Sequence, residues 1–103
     1  MDNFKVIYRI LKILEKAMDI DEFDISLIAP EALSLTRKRW GIIMSMLLEN
    51  GYVKGVGITR TLGYETVKIN NIQITLKGLE YLAENSMMKK AANVAKGIAD
   101  IIP

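Results

Sequence analysis

The feature that most constrains this chain is a helix with both ends written in its residues. Thr36 is a good N-cap, and Leu35 and Trp40 stand in the two positions of a hydrophobic staple around it. At the far end Asn50-Gly51 supplies a left-handed stop, and Tyr52 falls where an apolar contact back to Leu47 closes the last turn. Between these signals Trp40, Ile43, Met44, Leu47 and Leu48 recur at the spacing of one apolar stripe, which marks the face turned to a core.

The first turn of that helix carries Arg37, Lys38 and Arg39. A helix N-terminus bears a partial positive charge, so acids there are worth roughly 0.3–1 kcal/mol each and bases are disfavoured by a comparable amount. The three cations therefore oppose local stability. Two readings stand: a solvated basic turn, or a cluster placed to meet phosphates, as when the N-terminal end of a recognition helix enters a DNA groove.

Composition narrows the function classes. With 103 residues, 50% of them hydrophobic, the chain builds one packed domain and hardly two. It has no cysteine, which excludes disulfides and thiolate metal sites, and no histidine, which removes the commonest metal ligand and general base. Most hydrolytic and redox constellations are thereby unavailable, and neither catalysis nor a metal nor a cofactor is expected. The net charge of +2 says little, but its distribution says more. Residues 1–35 hold four bases against seven acids, residues 36–60 five against one, and residues 61–103 five against four. No secretory signal is visible, because Lys5, Arg9, Lys12 and Lys16 interrupt the first apolar segment, and no run approaches the roughly 20 apolar residues that span a bilayer. The expectation is a soluble cytoplasmic protein without membrane contact.

A pass along the chain predicts a first helix from about Asn3 to about Met18. Ile7, Ile10, Leu11, Leu14 and Met18 make its buried face, Val6 and Ile13 widen it, and the four cations line the other side. The acidic stretch 19–24 lacks the central glycine and closing glutamate of a calcium loop and reads as a polar connection. Ile25-Ser26-Leu27-Ile28 reads as a short strand or an extended lead-in, and Pro30 opens a short helix to about Ser34. That helix, a brief break and the helix from Thr36 make a helix-turn-helix. Tyr52 to Ile58 and Glu65 to Ile69 read as a β-hairpin around a turn in 59–64, with a bulge or bend at Asn70-Asn71. Thr75 caps a fourth helix to about Asn85, with Leu76, Leu79 and Leu82 buried, and Gly78 implies close approach to another backbone. A last helix, about Ser86 to Ile102, places Met87, Ala91, Val94, Ile98 and Ile101 at coiled-coil spacing.

The expected fold is thus α+β and mostly helical: a winged helix-turn-helix of three helices, a β-hairpin wing and a fourth helix, with an extra C-terminal helix. Residues 1–85 form the domain, and residues 86–103 an amphipathic helix packed on it or at a dimer interface.

Several segments also resemble a known family. They are Pro30-Glu31-Ala32-Leu33, Trp40, Leu48 through Val56, Ile74 through Leu82, and the run Glu84-Asn85-Ser86-Met87-Met88-Lys89-Lys90. Together they resemble the YjcQ-like family of small winged-helix proteins of Gram-positive bacteria and their phages, over nearly the whole chain. The resemblance implies a winged-helix fold and a DNA-binding or phage-regulatory role, and carries over no defined active site or ligand.

Two functions fit these residues. In the first the protein binds double-stranded DNA as a phage- or mobile-element-related transcriptional regulator, with the capped helix in the major groove and the wing on the backbone. Lys38, Arg39 and Ser45 would then face DNA, Arg37, nearer the core edge, would suit a phosphate, Thr36 would complete the DNA-binding set at the helix head, and Lys54, Arg60 and Lys68 would supply wing contacts to phosphate. The outward Ile42 and Met46 fit a thymine methyl or a protein surface equally, and Glu49 repels phosphates. The second function is therefore a non-catalytic interaction module, in which Ile42, Met46, Met87, Val94, Ile98 and Ile101 meet a second copy or a phage or host protein.

Overall fold

The first helix forms where the apolar spacing predicts it. In the computed structural model, which describes residues 3–95 without the side chains of residues 60, 61, 64, 65 and 86–95, α1 runs over Asn3–Ala17. Val6, Ile7, Ile10, Leu11 and Leu14 are buried, while Lys5, Arg9, Lys12 and Lys16 face solvent. Met18, expected on the buried face, is exposed instead. The helix ends one residue earlier, and the amides of Met18, Asp19 and Ile20 each reach back only three residues, which turns the chain out of the helical path.

Asp24 determines the conformation of the segment after the acidic stretch. Its carboxylate accepts both the amide and the hydroxyl of Ser26, at 3.0 and 2.6 Å, and so caps a 3₁₀-helix over Ile25–Ile28, in place of the expected strand or extended lead-in. These two bonds hold the Asp24 carboxyl below the usual carboxylate range. The short helix expected over 30–34 is likewise a single turn. Ser34 adopts a left-handed conformation, φ 56°, and the Leu35 amide reaches back to the Pro30 carbonyl at 2.9 Å. A segment this short cannot offset the cost of helix nucleation. It still fixes the core, since Leu33 and Ile28 are fully buried.

Helix α2 spans Arg37–Glu49 with both ends as the residues dictate. The Thr36 hydroxyl accepts the Arg39 amide at 3.1 Å. At the other end Gly51, φ 76°, sends its amide to Leu48, and the Tyr52 amide bonds the Leu47 carbonyl at 2.9 Å, a Schellman closure.

Strands β1 (Val53–Thr61) and β2 (Tyr64–Ile74) form an antiparallel pair closed by Leu62 and Gly63. The expected bulge is present, since Lys54 pairs with Gln73 but Val56 with Ile69, leaving Gly55 opposite the extra residues of β2. A Cβ on Gly55 would lie 2.5 Å from the Asn71 carbonyl oxygen, so only glycine fits there.

Helix α3 runs over Leu76–Ala95, crossing residues 85 and 86 in place of the two helices expected there. Asn85 interrupts nothing, because its side-chain amide donates Nδ2–H to the Tyr81 carbonyl at 2.8 Å instead of capping a new helix. Thr75 ties the two helices together: its hydroxyl accepts the Gly78 amide and donates to the Gly51 carbonyl, and its amide donates to the Tyr52 carbonyl. Gly78 permits this, as a Cβ there would sit 2.5 Å from the Tyr52 oxygen. Leu76 is exposed, against expectation; it precedes the turn that meets the core, and Leu82 supplies the buried contact with Leu79 and Tyr81 beside it.

The described residues therefore form a small α+β fold of three α-helices and a two-stranded antiparallel hairpin around one core, to which each of these elements contributes. No helix among the described residues is long and apolar enough to cross a membrane.

The basic head of helix α2 as a candidate binding surface

The position of the basic turn is set by its neighbours. The indole N–H of Trp40 donates to the Ile28 carbonyl at 2.7 Å, anchoring the head of α2 to the 3₁₀-helix, and Ile43, Met44 and Leu47 bury the opposite side. Arg37, Lys38 and Arg39 are left exposed. The Arg39 guanidinium donates to Asn3 Oδ1 at 3.5 Å, and none of the three has an ion-pair partner among the described residues. Thr36 is occupied by its own helix and serves as a cap. The amides of Arg37 and Lys38 lie in the first helical turn, where no carbonyl of the helix is available to them.

Two depressions flank this turn. One of about 740 Å³ lies between α2 and the hairpin, lined by Arg37, Lys38, Trp40 and Ile42 on the helix and by Gly63 and Val67 on the hairpin. The other, about 380 Å³, lies toward the start of α1, lined by Asn3, Lys38, Arg39, Ile42 and Met46. Lys38 and Ile42 border both and so form the ridge between them.

The hairpin covers more of α2 than helical periodicity indicates. Ser45, expected to face outward, is only 6% exposed. Gly41 lies against the hairpin, where an added Cβ would meet Val67 at 3.6 Å, an ordinary contact. The exposed stripe of α2 is consequently Lys38, Ile42, Met46 and Glu49, with Arg37 and Arg39 at its head; Ile42 is 48% and Met46 43% exposed.

On the hairpin, Lys54 and Lys68 are exposed and alternate with the inward-facing Val53, Val56, Val67 and Ile69, so they border neither depression. Arg60 pairs with Glu65 through the backbone, and its side chain is not among those described. Met87 and Val94 lie on α3 where no side chain is described, and Ile98 and Ile101 lie outside the described residues. Periodicity does not place Gly63, Thr66 and Val67 beside the basic turn. Gly63 between two alternating runs is the signal that points to such a loop, while Leu62 before it departs from the Asn-Gly or Asp-Gly pair that marks one. Among the described residues no three acidic side chains converge as a metal site.

A family model described as YjcQ protein matches residues 8–101. No curated protein and no solved structure matches the chain.

Proposed function

We propose that this chain, which belongs to the YjcQ family, is a non-catalytic winged helix-turn-helix protein that docks on double-stranded DNA in the cytoplasm and serves transcription regulation in a phage or mobile element. The observation that carries this reading is the exposed trio Arg37, Lys38 and Arg39 at a helix end where cations cost stability. A phosphate there would meet the cations and the unpaired first-turn amides together.

In this arrangement α2 enters the major groove by its N-terminal half and the hairpin acts as the wing. Glu49 at the far end of the stripe disfavours deeper insertion, and Ile42 is placed to touch a thymine methyl. With Ser45 buried, few polar groups remain to read base edges, so the surface suits backbone docking more than sequence readout.

Binding to a duplex across a salt series tests the reading. Affinity should fall log-linearly with salt, and replacing Arg37, Lys38 and Arg39 by alanine should reduce the slope by about 2.7, at about 0.9 per phosphate contact. Undetectable binding at low salt, or an unchanged slope, would refute it.

The adjacent exposure of Ile42 and Met46 favours a second reading, a protein-interaction module built on the same fold. Met46→Asp would then abolish self-association or partner capture while the fold persists, and unchanged assembly would exclude that surface.

A further inference from the structure

The hairpin tip is built against local preference. A two-residue loop with both residues left-handed suits Asn-Gly or Asp-Gly. The chain does use asparagine at another left-handed position, Asn71 with φ 53°. At the first loop position, however, it has Leu62 with φ 48°, in a region that bulky residues avoid. Packing does not account for the choice, since Leu62 is 94% exposed, more than any other large hydrophobic residue among those described. Next to it, Gly63 has open space around the position of a Cβ and lines the same depression as Arg37 and Lys38. Leu62 does not itself line the depression, but it is bonded to Gly63, which does, so whatever spans the depression reaches the loop that carries this unpacked leucine.

We infer that Leu62 is an apolar wedge for the minor groove of a duplex docked on α2, an inference that rests on the DNA reading above. Proteins that bind the minor groove insert leucine and similar side chains between base steps, unstacking them and bending the duplex. A duplex answers both features at once: phosphates meet Arg37 and Lys38, and the base stack receives the leucine. A protein partner seated on Leu62 alone would leave the neighbouring cations unanswered.

The test uses the full chain and an A·T-rich duplex of about 30 bp containing TA steps, which unstack most readily, with a donor and an acceptor dye at its two ends. Binding of the wild type should raise energy transfer as the duplex bends. Leu62→Asn should leave the salt slope unchanged, lose the bend and bind roughly tenfold more weakly. The same variant should melt a few degrees higher, because asparagine accepts the left-handed loop position. Bending and affinity equal to the wild type would overturn the wedge while leaving the DNA reading intact. Failure of the wild type to bind at low salt would overturn both. A drop in sedimentation mass of Leu62→Asn without DNA would seat the leucine on a second copy and overturn the wedge.

Discussion

Gly78→Ala sets two effects of opposite sign against each other. Alanine is favoured over glycine inside a helix by about 1 kcal/mol, so propensity alone predicts a more stable protein. The new Cβ, however, would stand 2.5 Å from the Tyr52 carbonyl oxygen and 2.6 Å from Ile74 Cγ1. Overpacking of this kind costs about 1–3 kcal/mol. The Tyr52 carbonyl also accepts the Thr75 amide at 3.1 Å, and the Gly78 amide donates to the Thr75 hydroxyl at 3.1 Å. Moving α3 away weakens both, at about 1 kcal/mol for the bond and about 1 kcal/mol for the cap. The net expectation is a loss of about 2–4 kcal/mol, a fall in melting temperature on the order of 10–20 °C for a domain of this size. Thermal unfolding followed by circular dichroism measures it, with Ala83→Gly, at an exposed position of α3, as the control for propensity. If Ala83→Gly destabilises by about 1 kcal/mol while Gly78→Ala melts at or above the wild type, the close approach of α3 to the α2–β1 junction is wrong.

Three further perturbations probe the bulge, the Asp24 cap and the basic turn. Gly55→Ala, at φ 85° and with a Cβ 2.5 Å from the Asn71 oxygen, should lose about 2–4 kcal/mol in urea titration, with an unchanged m-value. Asp24, whose carboxyl is held low by Ser26, contributes stability that is present above its unfolded value and lost as pH falls through its folded value. The gap between the wild type and Asp24→Ala should therefore close at acid pH and be open at neutral pH, and a gap independent of pH would contradict the cap. Replacing Arg37, Lys38 and Arg39 together by glutamate should raise the melting temperature, because acids suit a helix N-terminus, while duplex binding is lost. Loss of both stability and binding would show that the cations serve the fold.

Much of this architecture is legible in the residues because it is locally determined. Thr36, Asn50-Gly51 and Thr75 each bond to backbone within a few positions, and the ends they mark are the ends observed. Gly78 is legible too, as a residue without helical merit that needs a tertiary reason. The failures share the opposite property. The Ile25–Ile28 segment has apolar β-branched residues but is bent by the Asp24 carboxylate, and the turn after Pro30 is stopped by a left-handed Ser34, which serine does not advertise. At the candidate surface the three cations are legible from charge alone. The burial of Ser45 is not, because a helical wheel ranks faces by the hydrophobicity of the helix itself. Which side the rest of the fold covers is a tertiary fact: Gly41 lies against Val67 of the hairpin, and Ser45 is buried.

Apart from the left-handed Ser34, the departures from local preference fall in two segments, the head of α2 and the hairpin loop. Thr36, Gly51, Gly55, Thr75 and Gly78 occupy positions that favour them, so they need only the fold to account for them. Arg37, Lys38 and Arg39 sit where acids would be better, and Leu62 sits where asparagine would be better. These four come from segments more than twenty residues apart, yet Arg37, Lys38 and the loop glycine beside Leu62 line one depression. Residues chosen for stability alone would not lapse together on one surface, because each lapse is repaired by a single substitution. The proposed docking on a duplex would account for the coincidence, as a surface selected for contact with something outside the chain. It also predicts the direction of the repairs: both the glutamate triple variant and Leu62→Asn gain stability while binding is lost in the first and weakened in the second, the trade expected of a functional site.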